Sequence, residues 1–354
     1  MAIKRAAKQI KYGIIRQNTS AAITAFATGA TANSWTNPGL ITTTYRTLFY
    51  NKGVPVPDMA VSINDYGVSS QLGLNHETTN FYLDARSGLP KLNFSGPADV
   101  NTLAPHFVGA LQAVSEGAGA TYTKTITSGF VAGTLDFKAG AGHLCSLAIY
   151  NGSSDDDGII LENAVIDNLS LTFDFIQKGV ARLVNIAGTW VGNEMNIEQE
   201  LTTPANWVAP AIIPLNNTEV FAFNTFTVDS VDWKAECIRR MVLNINNNVT
   251  SSCATAAGKA GQYDFNPEYT WTVILDHNLT TEKLMGDFQA GATVDINMAD
   301  SKITVDTPNC RITGNPYSYN GDFLGYAIPL RAYQSTTVSP LTIGLSDTLD
   351  WVYV

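Results

Sequence analysis

Apolar and polar side chains alternate along much of this chain, in short runs separated by Gly, Pro, Asn and Asp. Successive side chains of a strand point to opposite faces, so such runs predict strands with one face on a core. A short strand is also expected near residues 45–50. The main runs are 60–64, 80–84, 134–137, 145–150, 159–175, 180–190, 221–228, 238–249, 269–276, 292–298, 303–307 and 326–333. The pattern predicts a mainly β protein.

Three segments have helical spacing instead, with apolar residues recurring every three or four positions. They are residues 2–16, 98–114 and 281–290. In the second segment the apolar positions in register are Val100, Leu103, Phe107 and Leu111. The first helix is short and contains a glycine, so it is expected to order only against another surface. Residues 17–58 show little periodicity and are predicted to form an arm or long loop.

The two halves of the chain resemble each other. When 163–175 is set beside 235–247, the apolar positions coincide: Leu169 with Met241, Leu171 with Leu243 and Phe173 with Ile245. Either the chain contains an internal repeat, or two amphipathic strands match by chance. A repeat divides the chain into an N-terminal basic helix and arm (1–57), a first domain (58–205) and a second domain (206–354). Each domain is expected to have a flanking helix.

The composition favours a surface that is covered by copies of the same chain. Hydrophobic residues make up 45% of the sequence and charged residues only 15%, and charge is depleted at the cores of protein interfaces. The net charge is -10. Residues 1–57 contain basic but no acidic side chains, so the remainder is strongly acidic. An acidic body argues against tight nucleic-acid binding, but suits a wall that DNA slides past.

Neither a signal peptide nor an apolar run long enough for a membrane helix is visible, so a soluble protein made in a cytoplasm is expected. Cysteines are too sparse for a disulfide scaffold and none has metal-ligand spacing. They are predicted to be reduced thiols, mostly buried: Cys145, Cys237, Cys253 and Cys310.

A search for catalytic chemistry finds no motif. The four histidines have no partner at ligand spacing, and the sequence has neither a nucleophile elbow nor a phosphate-binding loop. They are His76, His106, His143 and His277. The acidic cluster 155–157 is predicted to be a solvated or lumen-facing hairpin tip in preference to a calcium site. The protein is therefore expected to need no cofactor or metal and not to be an enzyme.

The run ILENAVIDNLSLTFDFIQKGVARLVNIAGTW at 160–190 resembles tail tube proteins of long-tailed bacteriophages. In that family a strand containing Leu-Ser-Leu leads through a glycine-containing turn into a second strand that ends near a glycine. The Gly-Val-Pro at 53–55 and the segments 238–249, 283–289, 292–298 and 326–333 are also similar. The likeness covers residues 50–350.

This resemblance implies two similar β-sandwich or barrel-like tail-tube domains. A chain with two such domains is expected to form trimeric, pseudo-hexameric rings that stack into a tube in the virion tail. Two hairpins of each subunit would line a channel through which DNA passes during ejection, with only transient, non-specific contacts. Other tail proteins would bind both ends of the tube, and no membrane is involved.

Two sets of residues follow from this expectation. The polar positions of the paired strands are the candidate lumen-facing residues: Asn168, Ser170, Thr172, Asp174, Asn244, Asn246 and Asn248. The basic positions of the arm are the candidates for ring stacking: Lys4, Arg5, Lys8, Lys11 and Arg16. Arg239 and Arg240 do not suit a lumen, and Arg240 is expected to pair with an acid or to lie at an interface.

Two other classes of protein remain open. A terminator, a baseplate hub or a decoration protein would also be β-rich and self-assembling, but would form a single ring or a coat. A β-sandwich binding protein or hydrolase would be a monomer with a deep pocket.

Overall fold

The structure is a computed structural model of the 354-residue chain. It describes residues 11–16, 45–51, 57–58, 62–65, 81–84, 89–117, 122–129, 134–136, 144–150, 158–175, 183–199, 207–208, 212–215, 225–228, 231–232, 238–252, 262–276, 291, 293–299, 302–315, 317–320, 323–334 and 338–347.

Strands dominate the described residues, as the alternating pattern predicts. The first half contains β1 (Lys11–Arg16), β2 (Tyr45–Leu48), β3 (Pro57–Asp58), β4 (Ser62–Asp65), β5 (Phe81–Asp84), β6 (Lys91–Pro97), α1 (Val100–Leu111), β7 (Gln112–Gly117), β8 (Tyr122–Ser128), β9 (Thr134–Asp136), β10 (Cys145–Tyr150), β11 (Gly158–Asp174), β12 (Asn185–Val191) and β13 (Glu194–Gln199).

The second half continues with strands alone among the described residues. They are β14 (Trp207–Val208), β15 (Thr225–Val228), β16 (Val231–Asp232), β17 (Ile238–Asn246), β18 (Thr250–Ser252), β19 (Gln262–Asp264), β20 (Glu268–Asp276), β21 (Val294–Ala299), β22 (Ile303–Ile312), β23 (Tyr317–Asn320), β24 (Phe323–Ala332) and β25 (Thr342–Asp347). Each predicted strand overlaps an observed one, so the mainly β fold class is confirmed.

The central feature is an antiparallel run of strands in the order β6–β12–β11–β17–β20–β24. The hairpin strands β11 and β12 of the first half lie directly beside β17 and β20 of the second half. The outer strands β6 and β24 come from distant parts of the chain. We call these six strands the central sheet, because it holds most of the residues that the sequence singled out.

A second antiparallel run, in the order β15–β21–β22–β25–β8–β7, belongs to the same hydrogen-bonded system. It joins the central sheet where β22 pairs with β24. Strands β7 and β8 come from the first half of the chain but pair with β25 near its end. The sheets therefore mix strands from both halves of the sequence.

Helix α1 is buried on every side, with all 12 of its residues inaccessible to solvent. It contacts β11 as well as β7, β8 and β25, so it packs against strands of both runs. Most of its side chains are apolar, and the buried polar side chains of Thr102 and His106 form hydrogen bonds within the protein. The Asp99 side chain caps the helix by accepting a hydrogen bond from Asn101 N at 3.1 Å. The prediction for 98–114 is confirmed, although residues 112–114 belong to β7.

The helix predicted over 2–16 is wrong for its last part, because residues 11–16 form strand β1. This strand lies between β10 and β2 and is antiparallel to both. Tyr12 and Ile14 point into the core, which is the period of a strand and not of a helix. Pairing on both edges satisfies the backbone and overrides the weak helical spacing. Residues 2–10 and the helix predicted at 281–290 lie outside the described residues.

Strand β11 is 17 residues long and belongs to two neighbourhoods. Its first part pairs with β10 and β13, and its second part with β12 and β17. Asn163, with a φ of 51°, lies where the partners change. The left-handed conformation bends the strand at this point, so the second part of β11 is free to join the central sheet.

The sequence did not predict the longer strands β6, β7, β8, β13 and β25, nor the shorter strands β3, β14, β16, β18, β19 and β23. In β6 the buried Leu92 and Phe94 alternate with polar residues, a signal that is visible but short. The apolar side chains of these and the other strands form one large buried cluster that includes residues of both halves. Because that cluster is shared, it gives no boundary between the predicted domains at 205 and 206.

Candidate interaction surface

The central sheet has one face on the core and one polar face, and the strand register defines both. On the core face, Leu169, Leu171 and Phe173 lie opposite Ile245, Leu243 and Met241, and all six are buried. The side chains between them point the other way. They form the surface that we call the polar face.

The polar face contains most of the candidate lumen-facing residues, which the structure brings together from two halves of the chain. Asn168 lies opposite Asn246, and Ser170 lies opposite Asn244. Thr172 lies opposite Val242 in the next row, and Asp174 opposite Arg240. Asn168 and Asn246 are exposed, whereas Ser170, Thr172 and Asn244 are half-buried. The polar face is therefore accessible but closely packed.

Asn248 is the one candidate that does not lie on a strand. Strand β17 ends at Asn246, and Asn248 has a positive φ of 48°. Its Nδ2 donates to Asn266 O at 3.0 Å. It lies in the turn at the end of the sheet, because β17 ends three residues before the predicted strand 238–249 does.

The rows of the polar face continue onto the neighbouring strands. The row through Ser170 and Asn244 extends to Ala187 on β12, Ser95 on β6 and Thr270 on β20. In the row through Asn168, the Thr189 hydroxyl donates to Asn93 Oδ1 at 2.7 Å. Apart from Ala187, short hydroxyl and amide side chains follow each other along these two rows, so the rows are neutral and mainly hydrophilic.

Charged side chains of the polar face lie toward its margins. Arg331 on β24 forms a salt bridge with Glu268 on β20, with Nη1 3.2 Å from Oε1. Arg239, at a bulge in β17, pairs with Asp276 on β20. Arg240 is exposed and lies across from Asp174 in the register. The carboxylates of this surface thus have arginines beside them. The net charge of the chain suggests an acidic surface, but the charges on the polar face are mixed.

The two matching segments are related by a local twofold rotation within the sheet. Leu169 pairs with Ile245, and Phe173 pairs with Met241. A twofold rotation that places Leu169 on Met241 therefore also places Phe173 on Ile245, and these are the residues that the sequence comparison aligned. The axis passes between Leu171 and Leu243, which pair with each other. The flanking hairpin strands β12 and β20 follow the same exchange. The likeness of the two segments therefore reflects equivalent positions in one sheet.

A buried asparagine fixes the end of the hairpin strands against the helix. Asn247 is fully buried, and its Nδ2 donates to Ala110 O at 2.8 Å and to Ile166 O at 2.7 Å. Next to it, the Asp167 carboxylate accepts from Val249 N at 2.8 Å. These bonds join α1, β11 and the turn after β17, so the position of the polar face is coupled to the core.

The one histidine among the described residues is a structural group. His106 is buried in α1, where its Nδ1 donates to Thr102 O at 2.6 Å and its Nε2 accepts from the Tyr50 hydroxyl at 2.8 Å. Tyr50 in turn accepts from Trp190 Nε1 at 3.3 Å. Burial lowers the pKa of His106 to about 4 and raises the pKa of Tyr50. The imidazole is neutral at pH 7, and both of its nitrogens are occupied.

Other candidate sites have less support from the described residues. No group of three or more His, Cys, Asp or Glu side chains that could bind a metal occurs among them, and the acidic cluster 155–157 lies outside them. Of the stacking candidates, Lys11 is an exposed residue of β1, and Arg16 ends that strand. Lys4, Arg5 and Lys8 lie outside the described part of the chain.

The cysteines that the structure describes, Cys145 and Cys310, form no disulfide and are buried, as predicted. Burial raises the pKa of the Cys310 thiol to about 12, so it stays protonated and unreactive at neutral pH. Cys237 and Cys253 lie outside the described residues. Within the described residues, no helix is long and apolar enough to cross a membrane.

Comparisons with known proteins do not assign the chain to a family. No family model matches the sequence, and no curated protein is significantly similar to it. Its function has to be inferred from the residues and the fold.

Proposed function

We propose that the protein is a structural subunit of a phage tail tube, which polymerises as stacked rings around a channel for DNA. The single observation that supports this proposal best is the polar face. Strands from two halves of the chain bring Asn168, Ser170, Asn244 and Asn246 into one hydrophilic patch. The side chains on the opposite face of these two strands are buried in the core.

The chemistry of the polar face suits a channel wall. A wall that held phosphates tightly through many arginines without opposing carboxylates would stop DNA, whereas neutral amide and hydroxyl groups hydrogen-bond to water and leave the polymer free to move. The charged groups at the margins are partly compensated by the salt bridge between Arg331 and Glu268. The centre of the wall in this proposal is neutral, and the carboxylates of the polar face, Asp174, Glu268 and Asp276, lie at its margins beside arginines.

The proposed architecture has two tail-tube domains, 58–205 and 206–354, which contribute β11 with β12 and β17 with β20 to the wall. The direct pairing of β11 with β17 supports this arrangement, because it makes the wall of one subunit continuous across the two halves. Three such subunits would form a pseudo-hexameric ring in the virion tail. Self-association of rings and contacts with other tail proteins, without enzymatic activity, complete the proposal.

Negative-stain electron microscopy of the purified protein, together with light scattering, tests the proposal. Hollow filaments with a regular axial repeat are expected, and their rotational symmetry would distinguish a trimeric ring from a hexameric one. Discrete single rings would instead indicate a terminator or a hub. A protein that stays monomeric at high concentration, also after addition of preformed filament ends, would contradict a tube subunit.

A further inference from the structure

Two arginines face each other at one margin of the polar face. Arg311 on β22 lies directly opposite Arg331 on β24 in an antiparallel pair. Directly opposite residues share a face of the sheet and have Cβ atoms about 5 Å apart. Both side chains are exposed. We call these two residues the arginine pair.

The charge at this place is incompletely compensated. Glu268 binds Arg331 at 3.2 Å, but no described residue forms an ion pair with Arg311. Like charges directly opposite each other on neighbouring strands destabilise a sheet. One carboxylate for two guanidinium groups leaves a local excess of positive charge, in a chain whose net charge is -10.

Arg331 is also held in place by its neighbours. Its guanidinium carbon lies 5.9 Å from the centre of the Tyr333 ring, and the guanidinium group forms the salt bridge with Glu268. A guanidinium group that is already positioned loses less conformational freedom when it binds an anion. Thr270 and Asn244 follow Arg331 along the same row of the sheet. A polyanion bound along this row would therefore contact the neutral centre of the polar face and, at the margin, the arginine pair.

We propose that the arginine pair binds phosphate groups of a nucleic-acid backbone, and that Glu268 weakens this binding by competing for Arg331. The inference rests on the proposed function in so far as the polar face lines a channel for DNA. Arginine recognises phosphate through paired N–H donors and reads no base sequence in doing so. The competing carboxylate keeps each contact weak, which a sliding polymer requires.

Binding of a short, fluorescently labelled DNA duplex to the purified protein, measured by anisotropy over a range of salt concentrations, tests this inference. Glu268→Gln keeps the shape of the side chain but removes the competing charge. We expect it to tighten binding about tenfold at low salt, and to steepen the slope of log K against log salt by about 0.9. Adding Arg311→Gln to this variant should abolish the gain.

Lys11→Gln is the matched control, because it removes one exposed cation from β1, away from the central sheet, and should leave binding unchanged. The inference is overturned if Glu268→Gln binds DNA no better than the parent protein, or if its gain survives the loss of Arg311. It is equally overturned if Glu268→Gln and Arg311→Gln alter self-association in sedimentation without altering DNA binding. That result would assign the arginine pair to a carboxylate of another copy.

The microscopy described above separates this inference from the proposed function. If the protein forms no filaments but Glu268→Gln tightens DNA binding as expected, the phosphate site is supported and the role in a tail tube is contradicted. If the protein forms filaments but its variants show no such change in DNA binding, the tail tube is supported and the phosphate site is contradicted.

Discussion

Gly188 in β12 lies where a strand passes unusually close to its neighbours. A Cβ atom added there would lie 2.8 Å from Cζ of Phe94, and closer still to the backbone oxygen of Asn168. The backbone oxygen cannot move without distorting β11. The glycine therefore allows β12, β11 and β6 to pack at this spacing and holds the neutral rows of the polar face together.

Replacing Gly188 with Ala is expected to destabilise the protein by about 2 kcal/mol, the usual cost of overpacking a core. Gly344→Ala in β25 is the matched control, because its Cβ would meet Thr304 Cβ at an ordinary 3.4 Å. Urea unfolding of both variants measures the difference. Equal stability of the two variants would contradict the close approach.

His106 gives the protein a specific sensitivity to acid. Its pKa is about 4 in the folded protein, against an ordinary value of 6.5, so the unfolded chain takes up the proton first as pH falls. The stability contributed by the neutral imidazole is complete above pH 6.5 and is lost as pH falls toward 4. The expected loss is about 3 kcal/mol over this interval.

His106→Gln removes this titration and leaves the carboxylates of the protein unchanged. Unfolding midpoints of the parent and the variant should therefore converge as pH falls from 7 to 4. A stability difference that stays constant over this range would mean that His106 does not titrate as its burial indicates.

At the scale of elements, the sheet depends on polar contacts at the ends of strands as well as on apolar burial. The Nδ2 group of Asn247 serves carbonyls of both α1 and β11, elements that are distant in sequence. The alternation of 238–249 predicts a strand through this residue. This prediction is wrong at Asn247, because its side chain points into the protein and hydrogen-bonds to α1 and β11.

Asn247→Ala should leave the carbonyls of Ala110 and Ile166 without their buried donor, at a cost of about 3 kcal/mol. Asn248→Gly is the control, since it keeps a residue that tolerates positive φ and removes only an exposed hydrogen bond. Chemical unfolding of the two variants gives the comparison. A smaller loss for Asn247→Ala than for Asn248→Gly would contradict the role of Asn247.

At the scale of the whole molecule, the N-terminal region contains a strand of the fold that is preceded by basic residues. Strand β1 pairs on both edges and is part of the fold of the chain. The stacking hypothesis therefore applies to residues 2–10, which include Lys4, Arg5 and Lys8. Attraction between these cations and an acidic neighbouring ring would be weakened by salt.

Deleting residues 2–10 is expected to leave a folded subunit that forms shorter filaments or none, whereas deleting 2–16 should also reduce thermal stability, because Tyr12 and Ile14 leave the core. Circular dichroism follows folding, and electron microscopy follows filament length. Filaments of unchanged length after the shorter deletion would remove the arm from ring stacking.

The sequence by itself determined the mainly β class, the approximate position of about half of the described strands and the apolar face of those strands. These depend on local alternation, which a single strand already contains. It also predicted α1, where four apolar residues in register are enough to specify a buried helix. Strand β6 was missed because its alternation is short, and the segment 11–16 was assigned to a helix because the spacing of a few isoleucines fits both periods.

Only the tertiary structure decided which strands are neighbours. The pairing of β11 with β17, the position of Arg311 opposite Arg331 and the contact of Asn247 with α1 join residues that are far apart in the sequence. Such pairings depend on the packing of the whole core and on strand register, and a register error of one residue would reverse every face. The sequence therefore determined which side chains of a strand are apolar or polar, and the tertiary structure determined which strands pair and which side chains lie side by side.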